Sequence, residues 1–241
     1  MEKFSFLVKF QHQEEQNQQP SIIKYLVPAQ LRVSHPTVQK LMPKASDPCA
    51  LIYKFCDGFV PHGLFPQLVS RLITLCPMLD CTKPPNLFCD AARFILGKGD
   101  QYDLVLLCSK RCIKLVFMKY NHNMSDKSLE NEKSVACQVR TLIEGEMQSL
   151  SRQWQWLRNA NHEVCVTCYA CESSDVQCKR HQLASCLDQD CLHFLPIPSV
   201  VDSKTVFTCP EQVGDHSRFI VSNLHLWYGR SEVRSLLVVL S

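Results

Sequence analysis

The chain has 241 residues, of which 46% are hydrophobic, and its 26 basic against 23 acidic side chains leave a net charge of +3. That composition buries a core and excludes disorder, while so small a charge does not mark a nucleic-acid binder. No stretch approaches the roughly 20 apolar residues of a membrane span, and the N-terminal MEKFSFLVKFQHQEEQ lacks the apolar run and small-residue cleavage site of a secretory signal.

Phe4, Phe6, Val8 and Phe10 alternate with polar neighbours, which predicts a strand. The polar stretch Gln11 to Gln19 reads as an exposed loop, and Ile22 to Val27 is a second apolar run stopped by Pro28. Residues 32–49 carry Pro36, Pro43 and Pro48 with little periodicity and read as a linker.

Regular patterning resumes with a strand over Ala50 to Cys56 and a turn at Asp57-Gly58. In FVPHGLFPQLVSRLITLCP the residues Leu64, Phe65, Leu68, Val69, Leu72 and Ile73 fall on one helical stripe. Pro66 sits in the first turn, where a missing N–H has no partner to lose, and Pro77 ends the helix. Three strands are expected next, Leu87 to Leu96, Leu104 to Cys108 and Cys112 to Met118. Their short connections, Gly97 to Asp100 and Ser109 to Arg111, favour an antiparallel meander. From Leu129 the pattern becomes a long helix, with Val135, Val139, Leu142, Ile143, Met147, Leu150, Trp154 and Leu157 on one face. Lys133, Arg140, Glu144 and Gln148 are expected on the other. This helix is expected to lie across the meander, with Trp154 in its core and Trp156 towards an interface.

The fifteen cysteines are an odd number, and Cys56, Cys76, Cys108, Cys112 and Cys137 stand singly in apolar surroundings. Buried reduced thiols account for them better than a disulfide framework does, so a cytoplasmic location is expected. A different pattern governs Cys165, Cys168, Cys171, Cys178, His181, Cys186, Cys191, His193 and Cys209, nine donors in 45 residues. Thiolates and imidazoles at two-residue gaps suit a tetrahedral Zn²⁺, because a tight turn brings both ends of C-x2-C onto one ion. Four ligands close such a site, and the best-spaced set is Cys168, Cys171, Cys178 and His181. Cys186, Cys191 and Cys209 stand as substitutes or as donors to a second ion.

The order of residues in the first two-thirds resembles a known family. YLVPAQL at Tyr25 to Leu31, followed by LIYKFCDGFVPHGLFPQLVSRLI at Leu51 to Ile73, is similar to the second half of the COR domain that follows the Roc GTPase in Roco proteins. The likeness is most specific at Phe59-Val60-Pro61 and Gly63-Leu64-Phe65 and spans about residues 1–160. It implies an α+β fold: an antiparallel meander with an amphipathic helix and one long helix packed on it, followed by a small metal-stabilised Cys/His module. The implied division is the end of a first COR subdomain at 1–31, a linker at 32–49, a second subdomain at 50–160, the module at 161–210 and C-terminal strands at 211–241. It also implies a dimerising scaffold role and a Roc GTPase domain upstream in a full-length protein.

The chain has no G-x4-G-K-[ST] phosphate loop, since Gly97-Lys98-Gly99 has the wrong spacing and reads as a turn. GTP binding of that kind is not expected of it. Residues 161–195 hold Glu163, Glu172, Asp175, Asp188 and Asp190 against Lys179 and Arg180, and such a face repels phosphates. No nucleic-acid partner is expected, and no residue takes a catalytic role. The alternative is a ubiquitin-ligase component, because the spacing C-x2-C-x9-C-x2-H-x4-C-x4-C from Cys165 partly resembles RING and B-box fingers. Its last gaps are wrong for RING, and the final C-x2-C pair is missing.

Overall fold

A computed structural model describes residues 8–11, 23–26, 30–33, 50–75, 85–97, 102–119, 126–157, 161–167 and 194–197. The strands are β1 Val8–Gln11, β2 Ile23–Leu26, β3 Ala50–Phe55, β4 Asn86–Leu87, β5 Ala91–Leu96, β6 Tyr102–Cys108, β7 Cys112–Lys119, β8 His162–Thr167 and β9 Phe194–Pro196. The helices are α1 Leu64–Leu75 and α2 Asp126–Gln153. β1 and β2 form an antiparallel pair of their own. The other strands form one sheet, ordered β4-β5-β6-β7-β3-β8-β9, with every neighbouring pair antiparallel. The described part is therefore α+β.

The sheet has two different faces because side chains alternate along each strand. Leu51, Tyr53 and Phe55 of β3, Phe94 and Leu96 of β5, Leu104 and Leu106 of β6, and Ile113, Leu115 and Phe117 of β7 point one way. These residues form one apolar cluster with Leu68, Leu72, Val139, Ile143 and Leu150 of the two helices. Burying each such side chain favours folding by about 1.5–3 kcal/mol, and this cluster is the main source of stability. All six stripe residues of α1 are buried. The helix starts where Gly63, at φ +84°, turns the chain and its carbonyl accepts the Gln67 N–H at 3.2 Å. Pro66 falls in that first turn, and its carbonyl accepts a 2.7 Å bond from Ser70 Oγ.

The eight apolar positions expected on the long helix all belong to the same cluster, Val135, Leu142 and Trp154 at its partly buried margin. Arg140, expected on the outer side, is instead only 8% exposed. It lies four residues after Ala136 and three before Ile143, both fully buried, so the helical period carries it to the rim of the buried stripe. Arg71 of α1 binds across to α2, donating to Glu146 at 2.9 Å and Ser149 Oγ at 3.1 Å, and also to Gln153.

Two expected elements differ in detail. The single strand expected over Leu87 to Leu96 is folded back on itself. β4 pairs with β5 through a turn in which the Phe88 N–H donates to the Ala91 carbonyl at 2.8 Å. Asp90 in that turn is the kind of residue that favours it. The long helix stops at Gln153, and Gln155–Leu157 form a single 3₁₀ turn that buries Leu157.

Candidate metal centre and contact loop

Two places in this fold carry chemistry or surface that packing alone does not use: the β8–β9 ladder and the loop before α1.

β8 pairs with β3 from Leu51↔Val166 to Phe55↔His162, and the Cys56 N–H extends the ladder to the Asn161 carbonyl at 2.9 Å. On its other side β8 pairs with β9 through Cys165↔Pro196, Val166↔Leu195 and Thr167↔Phe194. Pro196, which cannot donate to a ladder, is confined to this edge strand. The strands flanking residues 168–193 thus belong to the sheet, β8 inside it and β9 at its edge among the described residues. Directly opposed residues lie about 4.5–5.5 Å apart, so Thr167 and Phe194, which bracket residues 168–193 in sequence, lie side by side. Cys168, Cys171, Cys178 and His181 lie in that segment, outside the described residues, as do Cys186, Cys191 and His193; Cys209 lies outside them further on. The donor set suits Zn²⁺ by its chemistry.

Cys165 belongs elsewhere. Its side chain is 0% exposed and joins Ala50, Ile52, Ala91, Val105, Leu107, Cys112 and Val116 in a second apolar cluster on the face away from the helices. Burial pushes its thiol up to about 12, with Lys54 lowering and Glu163 raising it to lesser degrees. The Sγ–H points at the Glu163 carbonyl at 3.8 Å. A strand residue packed in this way is no part of a C-x2-C turn with Cys168. Among the described residues no group of three or more His, Cys, Asp or Glu side chains is arranged to hold a metal.

The second face also holds charge. Arg93 of β5 donates to Asp103 of β6 at 2.6 Å, with Asp103 5% exposed, and Lys114 of β7 is equally buried. Sequence reasoning passed over this pair. Its only signal is one charged residue in each of two apolar strands, at positions that the strand period places on the same face.

The remaining described thiols divide by environment. Cys56 and Cys89 are exposed, Cys108 and Cys137 half-buried and Cys112 buried. The expectation that Cys56 is buried is corrected: it follows the last residue of β3, in the turn that leaves the sheet. Burial pushes Cys108 up to about 12, helped by Cys112 and Asp90. Cys112 is raised by burial as well, against a hydrogen bond from Ser109 that lowers it. Cys76 lies outside the described residues, and so does the side chain of Trp156.

The loop from Cys56 to Gly63 begins with Gly58 at φ +77°, a left-handed conformation that other residues seldom adopt. The Val60 N–H donates to the Lys110 carbonyl at 2.7 Å and the Phe55 N–H to the Arg111 carbonyl at 3.0 Å, which ties the loop to the β6–β7 turn. Val60 turns inward against the helix-side cluster, while Phe59 is 55% exposed. Asp57, His62, Lys110 and Arg111 are exposed around it.

No protein-family model and no curated protein matches the chain. Among the described residues no helix is long and apolar enough to cross a membrane.

Proposed function

We propose that this chain is a non-catalytic, cytoplasmic scaffold of COR type that acts by self-association, with a structural zinc module inserted in its sheet. The observation that carries the reading is the Phe59 loop. The segment most like the COR pattern, Phe59 to Phe65, presents Phe59 and His62 to solvent and buries Leu64 and Phe65 in the core. Packing alone calls for apolar residues at 64 and 65 but not for an exposed aromatic ring at 59. The partner is a second copy of the chain, since a patch carrying both charge signs can meet itself about a two-fold axis. In a full-length protein a Roc GTPase domain upstream would bias this contact.

The zinc module takes Cys168, Cys171, Cys178 and His181 as its ligand set, on spacing, and the pairing of Thr167 with Phe194 on either side of residues 168–193 supports it. The ubiquitin-ligase reading is weaker, because its finger spacing begins at Cys165, which the sheet buries. Sedimentation equilibrium of the full chain from low to high micromolar concentration tests the scaffold reading. A concentration-dependent rise in mass is expected, and a monomer throughout refutes it. Zinc measured in the parent and in the Cys168→Ala, Cys171→Ala double variant tests the module; loss in the variant is expected, and a parent without zinc refutes that part.

A further inference from the structure

The exposed large apolar side chains among the described residues are Phe59, at 55%, and Val33, at 70%. They are distant in sequence yet lie at the same end of the sheet. Because neighbouring strands are antiparallel, the start of β5, the β6–β7 turn, the end of β3 and the start of β8 line up there in that order. Val33 joins this end through Arg32, whose carbonyl accepts the Cys89 N–H at 2.9 Å just before β5. Phe59 joins it in the loop after β3, where the Val60 N–H donates to the Lys110 carbonyl. From β5 to β8 is four strand spacings, about 19 Å. Charge is divided along this strip. Arg32, Lys110 and Arg111 are exposed on the side of β5 to β7, against a half-buried Asp90. Asp57 and Glu163 are exposed on the side of β3 and β8, against a half-buried Lys54.

We infer that the whole of this sheet end is the self-contact surface, with Val33 as a second apolar anchor and the two-fold axis perpendicular to the sheet at β7. The inference rests on the self-association reading above and adds to it an extent and a register. A stable contact buries about 800 Å² on each partner, several times what one aromatic ring supplies. The surface therefore reaches beyond Phe59, and the other exposed apolar side chain lies along the strip. Charge selects the axis. A two-fold axis running along the strip would set β5 against β5 and oppose like charges. β7 is the middle strand of the five from β5 to β8, so an axis perpendicular to the sheet there sets β5 of one copy against β8 of the other. Arg32 and Val33 then meet the end that carries Glu163, and Lys110 and Arg111 meet Asp57 and the Phe59 ring, whose face favours a cation. An acidic peptide would satisfy only the basic half of the strip.

The test is sedimentation equilibrium of the full chain, with urea unfolding of dilute protein as the check on folding. Val33→Ser and Arg32→Glu are each expected to raise the dissociation constant about 10-fold or more. Both side chains are exposed, so the unfolding midpoint should stay where it is. Glu163→Arg is expected to weaken self-association in the same way. An equimolar mixture of Arg32→Glu and Glu163→Arg chains should pair more tightly than either variant alone, since one chain then carries acid at both positions and the other carries base. A parent that stays monomeric defeats the scaffold reading, and this inference falls with it. A parent that dimerises, and is weakened by Phe59→Ser, overturns this inference alone if Val33→Ser associates as tightly as the parent or if the mixture gains nothing. A Val33→Ser chain with a lowered unfolding midpoint does the same, because that side chain would then serve packing.

Discussion

Replacing Phe59 with Ser separates the contact role of this ring from any role in folding. Of the about 150–250 Å² that a Phe side chain can bury, the 55% left exposed in the monomer is close to 110 Å². At ~25 cal/mol per Å² that area contributes about 2–3 kcal/mol when a second copy covers it. The entropy lost on association is common to the parent and Phe59→Ser, so it cancels in their difference. A two-fold contact covers the ring of each copy, so Phe59→Ser removes about 4–6 kcal/mol in all and the dissociation constant should rise about 10³- to 10⁴-fold. Folding should hardly notice, since a surface change away from packed features shifts stability by about 0.5 kcal/mol or less. Val60 and Leu64, which hold the loop, are untouched. Sedimentation equilibrium gives the first quantity and urea unfolding of dilute protein the second. A Phe59→Ser chain that self-associates as tightly as its parent refutes the argument. So does one that loses 2 kcal/mol or more of stability, because the ring would then be part of the core.

The remaining predictions concern the core, the buried pair and the thiols. Ile143→Ala, at a fully buried position of α2 in the helix-side cluster, should cost about 2–5 kcal/mol by removing packed atoms and leaving a cavity; denaturant unfolding measures it. Arg93→Ala should cost about 3–5 kcal/mol by stranding Asp103 in the sheet, whereas Arg93→Met with Asp103→Leu should recover most of the loss, as a double-mutant cycle would show. Alkylation of the folded chain at pH 8, followed residue by residue by mass spectrometry, should label exposed Cys56 first. Cys89 should follow more slowly, its thiol raised by partial burial and then by Asp90, and Cys108, Cys112 and Cys165 should resist. The same burial makes alkali destabilising. Below pH 9 Cys108 and Cys165 are protonated whether the chain is folded or not. Above it the unfolded thiols ionise while the folded ones hold their protons up to about 12, so stability falls across that window. Cys165→Ala should flatten the decline in urea titrations at pH 8, 9 and 10.

What was legible in the sequence follows from how locally each feature is encoded. Both helices announce themselves by period, because a helix facing one core must repeat its apolar residues every three or four positions. The stripe from Leu64 to Ile73 is buried as that rule requires. The β6–β7 hairpin is equally local, with Ser109 accepting the Cys112 N–H across the turn at 3.2 Å. Less legible was anything decided by a distant partner. HEVCVT reads as the start of a cysteine module because Cys165 stands three before Cys168. It is a strand because Val164 and Val166 meet β3, more than a hundred residues earlier in the chain. Burial of the second sheet face is likewise invisible locally. The runs LVLL in β6 and LVF in β7 are apolar on both sides, and a short apolar run fits more than one buried arrangement.

That misreading of Cys165 alters how the metal module must be regarded. A finger that began at residue 161 would be an appendage, able to fold or melt without consequence for the sheet. With β8 and β9 in the sheet, residues 168–193 fall in sequence between two of its paired strands, whose ladder includes the buried Cys165 and Val166. Coupling then runs in both directions, as linkage requires. Under the zinc reading proposed above, folding of the sheet would strengthen metal binding, and bound metal would in turn stabilise the sheet. Since β9 pairs with β8 alone among the described residues, and β8 in turn with β3, destabilising β3–β8 pairing should weaken the proposed zinc binding even though β3 supplies no ligand. Ile52→Ala makes the test, at a fully buried residue that pairs with Cys165 and lies on the face away from the helices. It should lower the zinc affinity and the unfolding midpoint together. An Ile52→Ala chain that is destabilised yet binds zinc as the parent does would show that the module folds independently of the sheet.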